Sequence, residues 1–196
     1  MNLTKTTKIL LIASSLWYFG EGLFGPLLPV YAERVGGDIL DITWAWSIYL
    51  IVAGTLYIVF GQRLRSSKNK EKVMIFGYVL NTIFTFGYIL VHNTMGLFIV
   101  QIGIGVSEAL STPAWESLFA KTLEDPEDSF FWGLASGHTH LVTGVAVAIG
   151  GLIAHYVSFD ALFVIMGVIQ IAATIVQARI LYIQKKITVE NPDPES

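Results

Sequence analysis

The 196-residue chain is 54% hydrophobic and 14% charged, with a formal net charge of −3 and no cysteine. That composition excludes an ordinary soluble domain and describes an integral membrane protein. The missing thiols exclude disulfides, thiolate metal sites and cysteine nucleophiles.

The first eight residues, MNLTKTTK, are polar and basic. The apolar run after them is too long for a signal-peptide core and lacks a small-residue cleavage site before its prolines, so it is expected to remain as a first span. A spanning helix needs roughly 20 mostly apolar residues. By that measure six spans are predicted, over 9–31, 43–61, 73–91, 95–119, 130–156 and 161–183, followed by a polar tail at 187–196. The connections AERVGGDILDI, VHNT and VSFD carry one basic residue, Arg34, whereas the N-terminus, QRLRSSKNKEK, AKTLEDPEDS and the residues after the last span, Lys185 and Lys186 included, carry ten. Excess lysine and arginine marks the cytoplasmic side, which places both termini there, in a multi-pass protein of the cytoplasmic membrane. Arg179, near the end of the last span, reaches the same face by snorkelling. The acidic cluster Glu124, Asp125, Glu127 and Asp128 reads as a solvated loop that starts the fifth helix.

Glu21 and Glu108 fall near the middle of the first and fourth spans, and each is followed five residues later by a proline, Pro26 and Pro113. A carboxylate at the bilayer centre costs on the order of 3 kcal/mol on insertion scales, so it faces protein or a wet interior. Laying the last three spans over the first three also aligns Gly54 with Gly144, Gly61 with Gly151 and Gly77 with Gly167, at offsets of 87 for the glutamates and 90 for the glycines. The expected architecture is an all-α membrane protein of six transmembrane helices in a 3+3 inverted repeat. Residues 1–91 form the first unit and 92–186 the second, inverted because three is odd.

On the fourth span Gln101, Gly105, Glu108, Thr112 and Glu116 recur every three or four residues and share one helical face. Pro113 removes one bond of the helical ladder and frees a carbonyl near Ala109, beside Glu108. Ser14 and Trp17 share a face with Glu21. On the fifth span His138 and His140 point about 200° apart, so at most one serves a common site. His140, on the face of Ser136, Thr143 and Gly144, is the better candidate. Asn81, Gln170 and Gln177 read as interhelical hydrogen-bonding groups, and Trp44, Trp46 and Trp132 as interfacial anchors, with Trp17 and Trp115 lying deeper. Gly137, Gly144 and Gly151, with Gly150, give the fifth helix a smooth stripe that allows close helix approach. A serine-protease reading of GLASG fails, because Leu134 stands where the nucleophile motif places glycine.

The segments FGEGLFGPLLPVYAERVGG, VFGQRL, QIGIGVSEALSTPAWESLFA and TGVAVAIGGLIAHYVSFDALF together resemble one six-helix half of the major facilitator superfamily, the N-terminal one. Four positions depart from the family pattern. Arg65 and Lys68 stand where the loop motif that opens at Gly61 has an aspartate and a second glycine, Ile99 stands at the usual arginine of the fourth helix, and Ile149 precedes the glycine pair. The resemblance implies that helices one and four line a central cavity. It places Glu21, Glu108, Trp17, Gln101 and Thr112 there as substrate- or proton-binding groups, with His140 beside them. Glu116, about 12 Å nearer the cytoplasm, takes the position of an inner gate. It implies a secondary transporter rather than an enzyme, with no cofactor, metal or nucleic acid. Family members close the cavity with two six-helix halves, so the expected partner is a second copy around an axis along the membrane normal. The expected activity is that of a half-size transporter working by alternating access as a proton-coupled antiporter. The absence of a cavity lysine or arginine favours a small organic solute, cationic or amphipathic, over an anion. A non-transporting membrane scaffold and one half of a heteromer are the alternatives.

Overall fold

A computed structural model describes residues 4–67, 69–123, 125 and 128–190, with side chains as far as residue 183. Among the described residues seven α-helices run in chain order, α1 (Lys5–Phe24), α2 (Leu28–Arg34), α3 (Ile39–Leu64), α4 (Lys70–Gly87), α5 (Thr94–Ala120), α6 (Ser129–Tyr156) and α7 (Phe159–Glu190), and no strand occurs. Five are long and apolar enough to cross a membrane: α3, α4 with its following turn to Leu90, α5, α6, and α7 as far as Ile183. The protein is a multi-pass, all-helical membrane protein.

The sixth predicted span, the first in the chain, is not one continuous helix. It divides into α1, a single 3-10 turn at Gly25–Leu27, and α2. Gly25, Pro26 and Pro29 lie within five residues, and the prolines remove two amide donors while glycine adds backbone freedom, so the α-helical ladder cannot continue. Pro113, without such neighbours, sits inside an uninterrupted α5. The same Glu-to-Pro spacing therefore has two structural outcomes. At the other end α7 runs to Glu190, past the predicted end at 183 and into the segment read as a polar tail; no glycine or proline occurs between Gly167 and Pro192 to stop it. Lys68, Glu124, Glu127 and residues 191–196 lie outside the described residues.

Capping residues set the starts of the helices. The Asp38 carboxylate accepts the amides of Leu40 and Asp41 at 2.8 and 2.9 Å while Asp41 accepts the Asp38 amide at 3.1 Å, a reciprocal box that opens α3. Asn93 caps α5 through the Gly96 amide at 2.9 Å, and Asp128 caps α6 through Phe130 at 2.8 Å, the helix-starting position expected of the acidic loop. Asp38→Ala is expected to cost about 1 kcal/mol, read as a fall in the thermal unfolding temperature in detergent. An unchanged unfolding temperature contradicts the capping argument.

In the bundle α5 packs against α3 and α4, α1 against α6 and α7, and α4 against α7, while α1 and α5 barely touch. Exchanging α1, α3 and α4 for α5, α6 and α7 carries this set of pairings onto itself. One core cluster gathers Phe24, Tyr31, Tyr88 and Phe163, with Tyr88 stacked on Phe163 at 5.1 Å and the Tyr31 hydroxyl donating to the Tyr88 carbonyl at 2.8 Å. The other gathers Leu10, Met74, Tyr78, Ala114, Phe119 and Ile180. Helices α3 and α6 stand at the edges: only Ala45, Ala53 and Leu64 of α3, and Ala135, Ala146 and Gly150 of α6, are buried.

Close approach to the edge helices depends on glycine. At Gly150 a Cβ would fall on the carbonyl oxygen of Leu23, so α6 meets the backbone of α1 there. At Gly105 a Cβ would come within 3.0 Å of the Tyr49 carbonyl, which brings α3 against α5 beside Glu108.

Candidate functional site

Because α1 and α5 barely touch, the space between them opens into two cavities that share Trp17 and Tyr18. The smaller, about 170 Å³, is lined by Glu21, Glu108, Gln101, Trp46, Tyr49 and Tyr88 among others. The larger, about 260 Å³, lies toward the opposite end of the bundle and is lined by Ser14, Thr112, Trp115, Glu116, Trp132 and His140 among others. Every residue proposed from the sequence as substrate- or proton-binding thus faces one or other cavity, and Trp17 faces both.

The two glutamates have different surroundings. Glu108 is half-buried, and each of its oxygens accepts a phenol from α3: Tyr57 donates to Oε1 at 2.7 Å and Tyr49 to Oε2. The Tyr57 hydroxyl also lies 3.4 Å from Thr112 Oγ1. Tyr49, Ala53 and Tyr57 are four residues apart and so share the face of α3 that Gly105 admits against α5. Glu21 is held from the side away from the cavities: its Oε1 accepts Asn81 Nδ2 of α4 at 2.8 Å and Gln170 Nε2 of α7 at 3.2 Å. Gln170 Nε2 also donates to the Trp17 carbonyl at 3.1 Å. Asn81 and Gln170, read from the sequence as interhelical glue, are glue to a carboxylate.

The remaining groups fall as follows. Gln101 Oε1 accepts the Tyr88 hydroxyl at 3.0 Å, which fixes its amide at the end of the smaller cavity. Glu116 is exposed at the end of the larger one. His140 faces that cavity with Nδ1 2.8 Å from the Ser136 carbonyl, whereas His138 turns toward α1, with Nε2 3.4 Å from Ser14 Oγ. Trp46 and Trp132 line the cavities rather than serving only as interfacial anchors, and Trp132 packs edge-on against Phe119 at 5.3 Å. Trp115 donates to the Leu10 carbonyl at 3.1 Å and ties α5 to α1.

Tyr18, Tyr49 and Tyr57 did not emerge from the sequence. The spacing of Tyr49 and Tyr57 put them on one face of their span, but that span is apolar all round and nothing in it shows which face turns inward. Chemically the cavities present three carboxyl groups, tyrosine hydroxyls and tryptophan faces, with no lysine or arginine in either lining. Such a lining suits protons, cations and hydrogen-bonding solutes. Among the described residues no group of three or more His, Cys, Asp or Glu side chains gathers as a metal site.

An all-helical, multi-pass protein with a carboxylate-bearing cavity between its helices has the form of a membrane transporter. The chain belongs to the Major Facilitator Superfamily, whose family profile matches residues 10–196. It is 31% identical over 135 residues to the proton-coupled antiporter flippase LtaA of Staphylococcus haemolyticus, an alignment that covers 67% of this chain and 34% of that protein. Over 137 residues it is 24% identical to the protein of the same name from Staphylococcus aureus strain USA300, covering 67% of this chain and 34% of the relative. An uncharacterized MFS-type transporter of Methanocaldococcus jannaschii is 24% identical over 174 residues, 89% of this chain and 45% of the relative. The chain thus spans between a third and a half of the length of these relatives.

Proposed function

We propose that the chain is a half-size secondary active transporter that works by alternating access, exchanging protons for a small organic solute of cationic or amphipathic character. The observation that carries this reading is the joint placement of Glu21 and Glu108 in one cavity between α1 and α5, beside Trp17, Tyr18 and Gln101. A membrane-embedded carboxyl group that meets no cation can exchange a proton for a cationic or hydrogen-bonding solute. The aromatic walls supply faces for a cation or an apolar ring. The name of the Staphylococcus relatives, a proton-coupled antiporter, supports the coupling, and their naming as flippases supports an amphipathic solute.

The pairing of helices, which maps onto itself when the two three-helix units are exchanged, supports the 3+3 inverted repeat. In this reading α1, its turn and α2 form the sixth crossing, and both termini lie in the cytoplasm. The functional partner is a second copy of the chain about an axis along the membrane normal. Support comes from the face left open by α3 and α6: Gly54 and Gly61 of α3 and Gly137, Gly144 and Gly151 of α6 have nothing within 4 Å of a Cβ position. Smooth glycine faces beside a polar cavity suit close helix packing against a second unit.

The activity is tested in proteoliposomes with an imposed proton gradient, using ethidium as the probe cation. Gradient-dependent movement of the dye is expected, and movement no faster than in protein-free liposomes contradicts the reading. Native mass measurement in mild detergent is expected to give about twice the 21.6 kDa of one chain. A purely monomeric mass contradicts the homodimer.

A further inference from the structure

Behind the cavities, where α4 packs on α7, lies a polar cluster that the transport cycle as described does not use. Asn81 and Thr85 of α4 and Gln170 and Gln177 of α7 are 0% exposed. Asn81 Oδ1, Thr85 Oγ1, Gln170 Oε1 and both amide atoms of Gln177 have no hydrogen-bond partner among the described residues. A buried polar atom left without a partner is costly, and native structures keep few of them. Three of these five atoms are amide oxygens, which can only accept, and the Thr85 hydroxyl can accept as well as donate.

Two of these amides, those of Asn81 and Gln170, adjoin Glu21 through their nitrogens. Glu21 Oε1 is 2.8 Å from Asn81 Nδ2 and 3.2 Å from Gln170 Nε2, and the Trp17 carbonyl is 3.1 Å from the same Gln170 nitrogen. Among the described residues Glu21 forms no hydrogen bond or ion pair with a cationic side chain. A buried carboxylate is neutralised by a proton or by a cation. One proton on Glu21 supplies one donor, whereas a cation draws on the carboxylate, both amide oxygens and the backbone carbonyl at once. Rotation about the broad, two-fold terminal torsions of Asn81 and Gln170 turns their oxygens toward Glu21 without moving a helix. A set made only of oxygens, with a single carboxylate, suits a hard monovalent ion rather than a transition metal or a divalent cation.

We propose that Glu21, Asn81, Gln170 and the Trp17 carbonyl form a binding site for a sodium-sized monovalent cation, on the α4–α7 side of α1 and apart from the solute-lining groups of α5. The site shares Glu21 with the proposed transport cycle, and binding at it is measured without transport.

The test is thermal unfolding of the purified full chain in detergent with sodium, potassium or choline chloride at constant ionic strength. Sodium is expected to raise the unfolding temperature saturably, on the order of 5 °C when well above its dissociation constant, with little response to choline. Glu21→Gln and Gln170→Leu are expected to lose the sodium increment. Gln170→Leu removes a buried, unpartnered oxygen but also the Nε2 hydrogen bonds to Glu21 and the Trp17 carbonyl, so it is expected to unfold at lower temperature in choline and, beyond that, to lose the sodium increment; Asn81→Leu, which loses the Nδ2 bond to Glu21, is the second variant of this kind. A merely structural role for these amides predicts equal losses in all three salts. An equal response to the three salts, or a sodium increment that survives in Glu21→Gln and both leucine variants, overturns the site. A failure of the transport assay leaves the binding result standing, so the two readings fail separately.

Discussion

Glu108→Gln is expected to reduce dye movement driven by a proton gradient to the level of protein-free liposomes, while the protein still purifies folded, at a somewhat lower unfolding temperature. Glutamine keeps the length of the side chain and an oxygen for one tyrosine hydroxyl, but it cannot take up and release a proton. Glu108 receives its hydrogen bonds from Tyr49 and Tyr57 on α3, an edge helix with few buried residues. A carboxyl group held by hydroxyls of an edge helix can change its protonation and its partners together as that helix moves. A hydrogen bond to a charged group contributes about 1.5–3 kcal/mol, so breaking the tyrosine contacts is a large event on the scale of a conformational equilibrium. Full transport by Glu108→Gln would remove Glu108 from the coupling mechanism. Full transport by Glu21→Gln as well would remove both glutamates from the coupling, whereas a membrane scaffold that retains the family fold is favoured only if the unmodified chain moves no dye.

The second large effect concerns stability. Gly150→Ala is expected to unfold the protein at markedly lower temperature, because the added methyl falls on the Leu23 carbonyl oxygen. The obstacle is backbone, not the end of a flexible side chain, so α6 must move away from α1. Overpacking typically costs about 1–3 kcal/mol, and the upper part of that range is expected here. Gly151→Ala is the control: nothing lies within 4 Å of its Cβ position, so the unfolding temperature of the single chain should hold or rise, and any effect on native mass belongs to the pairing with a second copy. If the two variants unfold alike, the tight crossing of α6 over α1 is wrong.

These two positions show where sequence reasoning stops. Gly150 and Gly151 are neighbours in one glycine-rich stretch, and the stripe at Gly137, Gly144 and Gly151 was legible as a smooth face. Which glycine meets another backbone depends on how α6 is rotated against α1. The same holds for the histidines. Helical geometry alone separates His138 from His140, but it takes the packed helices to turn His138 toward Ser14 and leave His140 on the larger cavity. The prolines make a further case: Pro26 and Pro113 stand at equal spacing from Glu21 and Glu108, yet α1 stops where Gly25 and Pro29 flank Pro26, whereas Pro113 leaves α5 continuous.

By itself the sequence determined the membrane class, five of the crossing helices to within a few residues at most ends, the acidic start of α6 at Asp128, and the face of α5 that carries Gln101, Glu108, Thr112 and Glu116. Each of these follows from local quantities: hydropathy over a span, hydrogen-bonding capacity at a helix end, and a repeat of 3.6 residues. Only the tertiary structure decided that Glu108 is held by Tyr49 and Tyr57 and Glu21 by Asn81 and Gln170. The reason is physical. A helix apolar on every side carries no amphipathic signal to orient it, so its rotation is set by close packing against its neighbours, and that packing chooses which polar groups meet.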